Sequence, residues 1–300
     1  PERPGKEITE ICDQKATFTD RWIRVLAQSQ KISTLAGDEK TKQWLGVMAK
    51  VASRPRFADA CPIAFEPDCP RPLQLLVLHQ MQEAAVFRDA LDGRWGDAFN
   101  RAETMLRLDV EYLPSARSTL SQAVSRAHVH RTMKLVDTLL DGVALEKQSE
   151  RKPDASRMAT FAKEVDPLLM KIRDEDVAPI RAVIAEYLFS AYALDHLATA
   201  PQGRFSRGSI LFYDPGHALE MLNGRFRQYA AFAERDGAGD VPRFPLSPIY
   251  FLHNPTGHLA LDATRGTLES HIPAIAKDRA LLLKDRQALH ERLQALTKAP

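Results

Sequence analysis

Residues 73–93, "LQLLVLHQMQEAAVFRDALDG", and residues 94–114, "RWGDAFNRAETMLRLDVEYLP", decide the fold. Each stretch is long, apolar and helical in pattern. The first ends at the helix breaker Gly93 and the second at Pro114. Because so few residues join the two helices, they must fold back on each other as an antiparallel pair. The sequence therefore predicts a helical hairpin at residues 73–113.

Helical patterns continue on both sides of this hairpin. Helices are predicted over residues 17–36, 38–54, 115–141, 154–170, 174–201, 254–270 and 273–297. The stretch "SILFY", residues 209–213, is a candidate for a short extended segment. The predicted fold class is therefore all-α: a multi-helix antiparallel bundle or an irregular α-solenoid, with at most one short extended segment.

A polar stretch near the middle of the chain is the best candidate for a domain boundary. It is "VALEKQSERKPDAS", residues 143–156. It would divide an N-terminal helical half, residues 1–150, which contains the hairpin, from a C-terminal helical half, residues 151–300. A length of 300 residues also suits one large continuous domain, so both arrangements stay open.

Charge and hydropathy exclude two classes of partner. The 41 Lys and Arg residues nearly balance the 39 Asp and Glu residues, and a net charge of +2 creates no long-range field that would attract nucleic acid. No run of about eighteen apolar residues is present, so no segment is predicted to span a bilayer. The chain begins "PERPGKEITEICDQK" without Met, as a mature form would. We expect any membrane attachment to come from a segment that preceded Pro1.

Two cysteines bracket the proline-rich stretch "CPIAFEPDC", residues 61–69. Prolines in and around this stretch exclude a helix and restrict the loop. A disulfide between Cys61 and Cys69 would stabilise the fold by roughly 2–3 kcal/mol, and it would persist only in an oxidising compartment. The disulfide is the preferred interpretation and favours export, whereas two free thiols would suit the cytosol. Cys12 would be free or paired elsewhere.

The stretch "FLHNPTGHLALD", residues 251–262, combines a helix-start pattern with two histidines. Asn254 followed by Pro255 is typical of the N-cap and first position of a helix. We therefore interpret the stretch mainly as a helix entry. The alternative is a metal or acid/base site in which His253 and His258 face a common point, although no third ligand follows at a fixed spacing.

Other residues that could bind metal are weaker candidates. Asp214, followed by Pro215, is typical of a capped helix start, and His217 lies in the same first turn. His128 and His130 lie in a predicted helix, where positions two apart diverge by about 200° and cannot reach one ion. We interpret this pair as surface or packing histidines. No nucleotide, zinc-protease, hydrolase or thioredoxin motif occurs, so neither a cofactor nor a catalytic residue is predicted.

The hairpin resembles a tetratricopeptide-repeat unit. Small residues, among them Ala84, Ala98 and Ala102, stand where the two helices would approach, and Trp95 follows the turn. No second copy follows at a period of about 34 residues, and stacking needs about three repeats. We therefore expect a single repeat-like hairpin within a helical domain.

Residues 69–113, 210–234 and 250–261 resemble a group of uncharacterised proteobacterial proteins with an aromatic-x-x-Asn-Pro-x-Gly motif. The motif residues here are Phe251, Asn254, Pro255 and Gly257. Members of this group usually carry an N-terminal membrane anchor and a periplasmic helical domain, so the resemblance implies a periplasmic location. This chain departs from them by showing no anchor. No activity is known for this group, so the resemblance assigns no catalytic residue to this chain.

Two function classes follow from the sequence. The preferred one is a non-enzymatic helical interaction protein of the bacterial envelope, a scaffold, assembly or toxin-neutralising factor whose partner is another protein. The alternative is a metal-dependent or other hydrolase that uses histidines of the C-terminal half. His253, His258, His217 and Asp214 are the residues available for it. In either case we expect a periplasmic protein, attached to the inner membrane if a removed N-terminal segment supplied an anchor.

Overall fold

The computed structural model of this chain describes residues 6–13, 21–54, 72–145, 153, 155–199, 213–244, 254 and 267–298. These residues form helices and contain no strand, which confirms the all-α fold class. In chain order the helices are α1 (Lys6–Thr9), α2 (Arg21–Ala27), α3 (Ser29–Gly37), α4 (Glu39–Ala52), α5 (Pro72–Leu91), α6 (Trp95–Ser115), α7 (Thr119–Leu145), α8 (Ala155–Met170), α9 (Asp174–Val177), α10 (Ile180–Thr199), α11 (Pro215–Glu234) and α12 (Thr267–Lys298).

Helices α5 and α6 form the predicted hairpin. Gly93 ends α5 with a φ of +77°, a left-handed conformation that costs glycine little. The backbone N–H of Arg94 then donates to the carbonyl of Asp89 at 2.8 Å. Trp95, the first residue of α6, is buried against Trp22 of α2, with 5.4 Å between the ring centroids. The tight turn and this buried aromatic pair place the hairpin at the centre of the molecule.

The described residues form two large apolar cores and a small third cluster of Tyr112, Ala116 and Val124. The main core gathers side chains from α1 to α3, from α5 to α9 and from the second half of α12, where Leu282, Leu289 and Leu293 are buried. The second core lies between α10, α11 and the first turns of α12. Helix α12 therefore belongs to both cores. The main core includes residues on both sides of position 150, and the domain boundary there stays a prediction.

Two predicted helices are broken in the structure. The helix expected over 17–36 is interrupted at Gln28, and the two pieces pack on different neighbours, α2 on α7 and α3 on α5. The helix expected over 174–201 is interrupted before Pro179. Ala178 there adopts an extended conformation (ψ 142°) because the proline ring disfavours helical backbone in the preceding residue.

The last helix also differs from the prediction. Pro273 was expected to begin it, yet Pro273 lies within α12, which starts at Thr267. Leu268 and Ile272, which precede the proline, are buried in the second core. Their burial explains why the helix extends back beyond the proline despite the cost of an interior proline.

None of the helices in the described parts of the chain is both long and apolar enough to cross a membrane.

Candidate functional site

Helices α5, α6 and α7 bring six polar side chains together inside the main core. We call them the polar cluster: His79 and Glu83 of α5, Asp109 of α6, and His128, Arg131 and Thr132 of α7. All six are buried. Residues three or four apart share one face of a helix, which explains why each of α5 and α7 contributes more than one member. Buried polar groups are costly unless they are paired, so the partners of each one matter.

His79 lies at the centre of the cluster. Its Nδ1 is 3.0 Å from Glu83 Oε1, and its Nε2 is 3.1 Å from Asp109 Oδ2 and 2.9 Å from Thr132 Oγ1. Burial by itself would lower the pKa of His79. The charge of Asp109 and hydrogen bonds with Asp109 and Glu83 outweigh it and raise this pKa to about 9. In the metal-free chain the imidazolium therefore donates to both carboxylates at neutral pH.

Glu83 is held in place by Arg131. The Nε and Nη2 atoms of Arg131 donate to the two carboxylate oxygens of Glu83 at 2.6 and 2.5 Å. Arg131 Nη2 also donates to the carbonyl of Thr9 at 2.9 Å, which ties α1 to the cluster. Burial would raise the pKa of Glu83, but the charge of Arg131 and the bonds from His79 and Arg131 lower it. Glu83 is thus an oriented anion whose bond to His79 fixes that ring.

His128 stacks on His79, with ring centroids 4.4 Å apart and an interplanar angle of 24°. Its Nδ1 is 3.5 Å from Asp109 Oδ1, whereas its buried Nε2 has no hydrogen-bond partner among the described residues. Burial and the neighbouring charge of His79 lower the pKa of His128, which favours the neutral ring. A neutral imidazole has a lone pair on one ring nitrogen, and that lone pair can bind a metal ion.

Asp109 connects the two histidines. Besides its contacts with them it accepts a hydrogen bond from Thr132 Oγ1 at 2.5 Å. Burial would raise the pKa of Asp109, but the charge of His79 and bonds with both histidines hold it well below its usual range. Asp109 therefore remains an ionised carboxylate, although it is buried.

The ligand atoms of His79, Asp109 and His128 all lie within 4.8 Å of one another. Two imidazole nitrogens and one carboxylate oxygen are common ligands of zinc and related ions. Beside them lies a cavity of about 20 Å³, lined by these three residues and by Met48, Leu75, Gln82, Met105, Leu108 and Tyr112. A cavity of this size holds about one water molecule.

Sequence reasoning did not find this cluster, although it considered His128. The prediction that His128 and His130 diverge is confirmed, because His130 Nδ1 approaches Asp285 of α12 at 3.4 Å and takes no part in the cluster. What the sequence concealed is that His128 meets His79 and Asp109 from two other helices. The available signal was the presence of Glu83 and Asp109 within otherwise apolar helical faces, since an unpaired buried carboxylate would be unstable.

The structure places Asp214 at the start of α11, where it caps the helix as predicted. Its Oδ1 accepts a hydrogen bond from the backbone N–H of His217 at 3.1 Å. The fully buried Asn254 holds the backbone of Asp214 from the other side. Asn254 Nδ2 donates to the carbonyl of Asp214 at 2.8 Å, and Asn254 Oδ1 accepts from its N–H at 3.2 Å. Asp214 and Asn254 thus serve local backbone structure.

The remaining predicted residues lie outside the described parts of the chain. They are Phe251, His253, Pro255, Gly257 and His258 of the motif, together with Cys61 and Cys69. The helix entry at Asn254, the histidine site and the disulfide therefore stay predictions. Cys12 is buried in the main core as a free thiol.

Comparisons of this chain with protein-family models, with curated proteins and with solved structures found no match. Its function must therefore be inferred from the chemistry of the polar cluster and from the surface of the helices.

Proposed function

We propose that this chain is a metal-binding helical protein in which His79, Asp109 and His128 hold one ion. The observation that carries the proposal is the convergence of their ligand atoms, within 4.8 Å of one another, from three different helices. Because these helices meet only in the folded chain, ion binding would stabilise the folded state.

The surroundings of His79 suit a metal ligand. Its Nδ1 faces Glu83, which leaves Nε2, the nitrogen beside Asp109, for the ion. Metal-binding histidines commonly donate their other N–H to a carboxylate, which fixes the ring and its tautomer. The bidentate pair with Arg131 fixes Glu83 in turn. The site therefore has an ordered outer shell as well as its ligands.

The distances and ligand types favour a small transition-metal ion. Two ligands of a tetrahedral ion with bonds of about 2.0 Å lie about 3.3 Å apart. His79 Nε2 lies 3.1 Å from Asp109 Oδ2, and His128 Nδ1 lies 3.5 Å from Asp109 Oδ1, so each histidine faces a different oxygen of the carboxylate at a distance close to that value. Two imidazoles favour Zn²⁺, Fe²⁺, Co²⁺ or Ni²⁺ over Mg²⁺ and Ca²⁺, which prefer oxygen ligands.

Calorimetric titration of the chelator-treated full chain with Zn²⁺ and Co²⁺ tests this proposal. We expect one ion per chain. His128→Gln should weaken affinity by at least about 10–100-fold, the loss typical of an outer-shell change. His130→Gln is the matched control, because His130 is a buried histidine of the same helix that faces Asp285. Absence of binding, or an equal loss in both variants, would refute the site.

A second proposed function is the envelope interaction role predicted from the sequence, with the protein in the periplasm. The outer face of α10 supports it. Ile184, Leu188 and Tyr192 follow one another at one-turn spacing and are 52%, 42% and 47% exposed. A ridge of this kind fits an amphipathic helix of a partner protein, which would cover the apolar side chains.

This second function is tested by cross-linked pull-down from the envelope fraction with a matched pair of variants. Leu188→Arg places a charge in the ridge, whereas Leu219→Arg places it on α11 at a leucine with the same 42% exposure. We expect one partner to be recovered with the wild type and with Leu219→Arg, and to be lost with Leu188→Arg. Equal recovery with both variants would show that the ridge is not the contact surface.

A further inference from the structure

The small cavity beside the polar cluster lies directly against the three proposed ligands. His79, Asp109 and His128 form one part of its wall, and Met48 of α4 and Leu108 of α6 form others. Its volume of about 20 Å³ is sufficient for one water-sized group. A ligand in this space would contact any ion held by the three side chains.

The number of protein ligands indicates what the cavity holds. Structural zinc sites usually have four protein ligands, whereas sites with three keep the fourth position for water or another exchangeable ligand. Thr132 Oγ1 lies 2.9 Å from His79 Nε2 and donates to Asp109, but Thr132 is not among the residues that line the cavity. Because all three proposed ligands line the cavity, the fourth position of the ion would face it.

The charges around the site favour an anion in that position. A divalent ion and Arg131 contribute three positive charges, and Asp109 and Glu83 contribute two negative ones, while both imidazoles are neutral as ligands. One positive charge would remain in a buried environment, where an uncompensated charge is costly. A single small anion balances it, and a neutral water molecule does not.

Helix α4 covers one side of the cavity and contributes one residue, Met48, to its wall. Thr41 is its buried residue, Trp44 and Val47 are exposed, and Met48 reaches the cavity wall. Among the described residues, α4 would lose few buried contacts by moving outward, so such a movement would open the cavity at low cost.

We propose that the ion binds one exchangeable small anion, such as hydroxide, in the cavity beneath Met48. This inference rests on the proposed metal binding and adds the class of ligand and its position. In the structure as it stands the cavity suits a ligand of one heavy atom. A larger anion requires Met48 to move or to be shortened.

The test uses the full chain loaded with Co²⁺ and titrated with sodium azide, with the visible spectrum of the cobalt as readout. We expect a saturable spectral change. Met48→Ala should raise azide affinity at least about tenfold, equivalent to about 1.4 kcal/mol, because it enlarges the cavity. Leu108→Phe should fill the cavity and abolish the response to azide while Co²⁺ still binds. Val47→Ala is the control, because Val47 is an exposed neighbour that does not line the cavity.

The outcomes separate this inference from the metal proposal. If Co²⁺ binds but azide changes no spectrum in the wild type or in Met48→Ala, the inference is overturned and the metal site stands. The same conclusion follows if azide affinity is equal in all variants. If the wild type binds no Co²⁺, the metal proposal fails, and the inference fails with it.

Discussion

The polar cluster and the contact between Asp214 and Asn254 use similar residue types in opposite ways. At the start of α11, Asp214 accepts from a backbone N–H, and Asn254 bonds both backbone groups of Asp214. In the polar cluster, side chains of three helices bond mainly to one another. Among the described residues, one ring nitrogen of His128 has no hydrogen-bond partner there. Polar groups that bond the backbone build the local fold, whereas a cluster of side chains beside a cavity can also take a ligand.

The largest effect on stability is expected from Arg131→Met in the polar cluster. The change leaves Glu83 buried without its bidentate partner, which should cost about 3–5 kcal/mol of unfolding free energy. Urea denaturation followed by circular dichroism measures it. The double variant Glu83→Leu with Arg131→Met should regain part of the loss. A cost of under about 1 kcal/mol for Arg131→Met would mean that water screens the cluster, as it does surface ion pairs.

Zn²⁺ binding should distinguish the polar cluster from the contact between Asp214 and Asn254. Zn²⁺ at about 100 times its dissociation constant should raise the unfolding free energy by about 2.7 kcal/mol, because it binds the folded state alone. Thermal or urea unfolding with and without the ion measures the shift. At the same Zn²⁺ concentration the shift should fall to about 1.4 kcal/mol or less in His128→Gln, whose affinity is at least about tenfold lower, and it should persist in Asn254→Ala. If both variants lost it, the two regions would not be independent.

A moderate effect is expected from Asn254→Ala. The change removes two hydrogen bonds to the backbone of Asp214 in a fully buried place, which should cost about 2 kcal/mol. A helix cap alone would be worth about 1 kcal/mol. Denaturation of the variant distinguishes the two values. Asn254→Asp should be no less damaging than Asn254→Ala, because it would bury a carboxylate facing the carbonyl of Asp214. A loss near the lower value would show that the bonds to Asp214 contribute little.

The smallest effect is expected from Asp214→Ala. Losing the side-chain bond to the N–H of His217 should cost about 1 kcal/mol, and Asp214→Ser, which can still cap, should restore most of it. Both variants should bind Zn²⁺ as the wild type does in the same calorimetric titration. A clear loss of Zn²⁺ affinity in Asp214→Ala alone would show that Asp214 belongs to a metal site. It would contradict the interpretation that Asp214 only stabilises the start of α11.

The features that were predicted correctly depend on neighbouring residues. Gly93 ends α5, α4 begins directly after Asp38, close to the start predicted at residue 38, and Asp214 caps α11. Each of these depends on backbone preference and on hydrogen bonds within one turn. The break at Gln28 was missed because it results from α2 and α3 packing on different helices, which no local pattern contains.

The candidate site was missed for the same reason. Helical periodicity places His79 with Glu83 on one face of α5, and His128 with Arg131 and Thr132 on one face of α7. It does not say that these two faces meet each other and Asp109. The metal candidates chosen from the sequence were instead residues close together in the chain, such as Asp214 with His217.

Local sequence is sufficient for the helical class, the hairpin and some helix ends, such as those at Gly93 and Asp214, because spacing, caps and breakers act over a few residues. Tertiary packing decides which buried charges become partners, since His79, Asp109 and His128 come from three helices. It also decides that His128 faces the cavity while His130 faces Asp285. The physical reason is that a ligand site needs atoms a few ångströms apart. Sequence spacing controls such distances only within one helix.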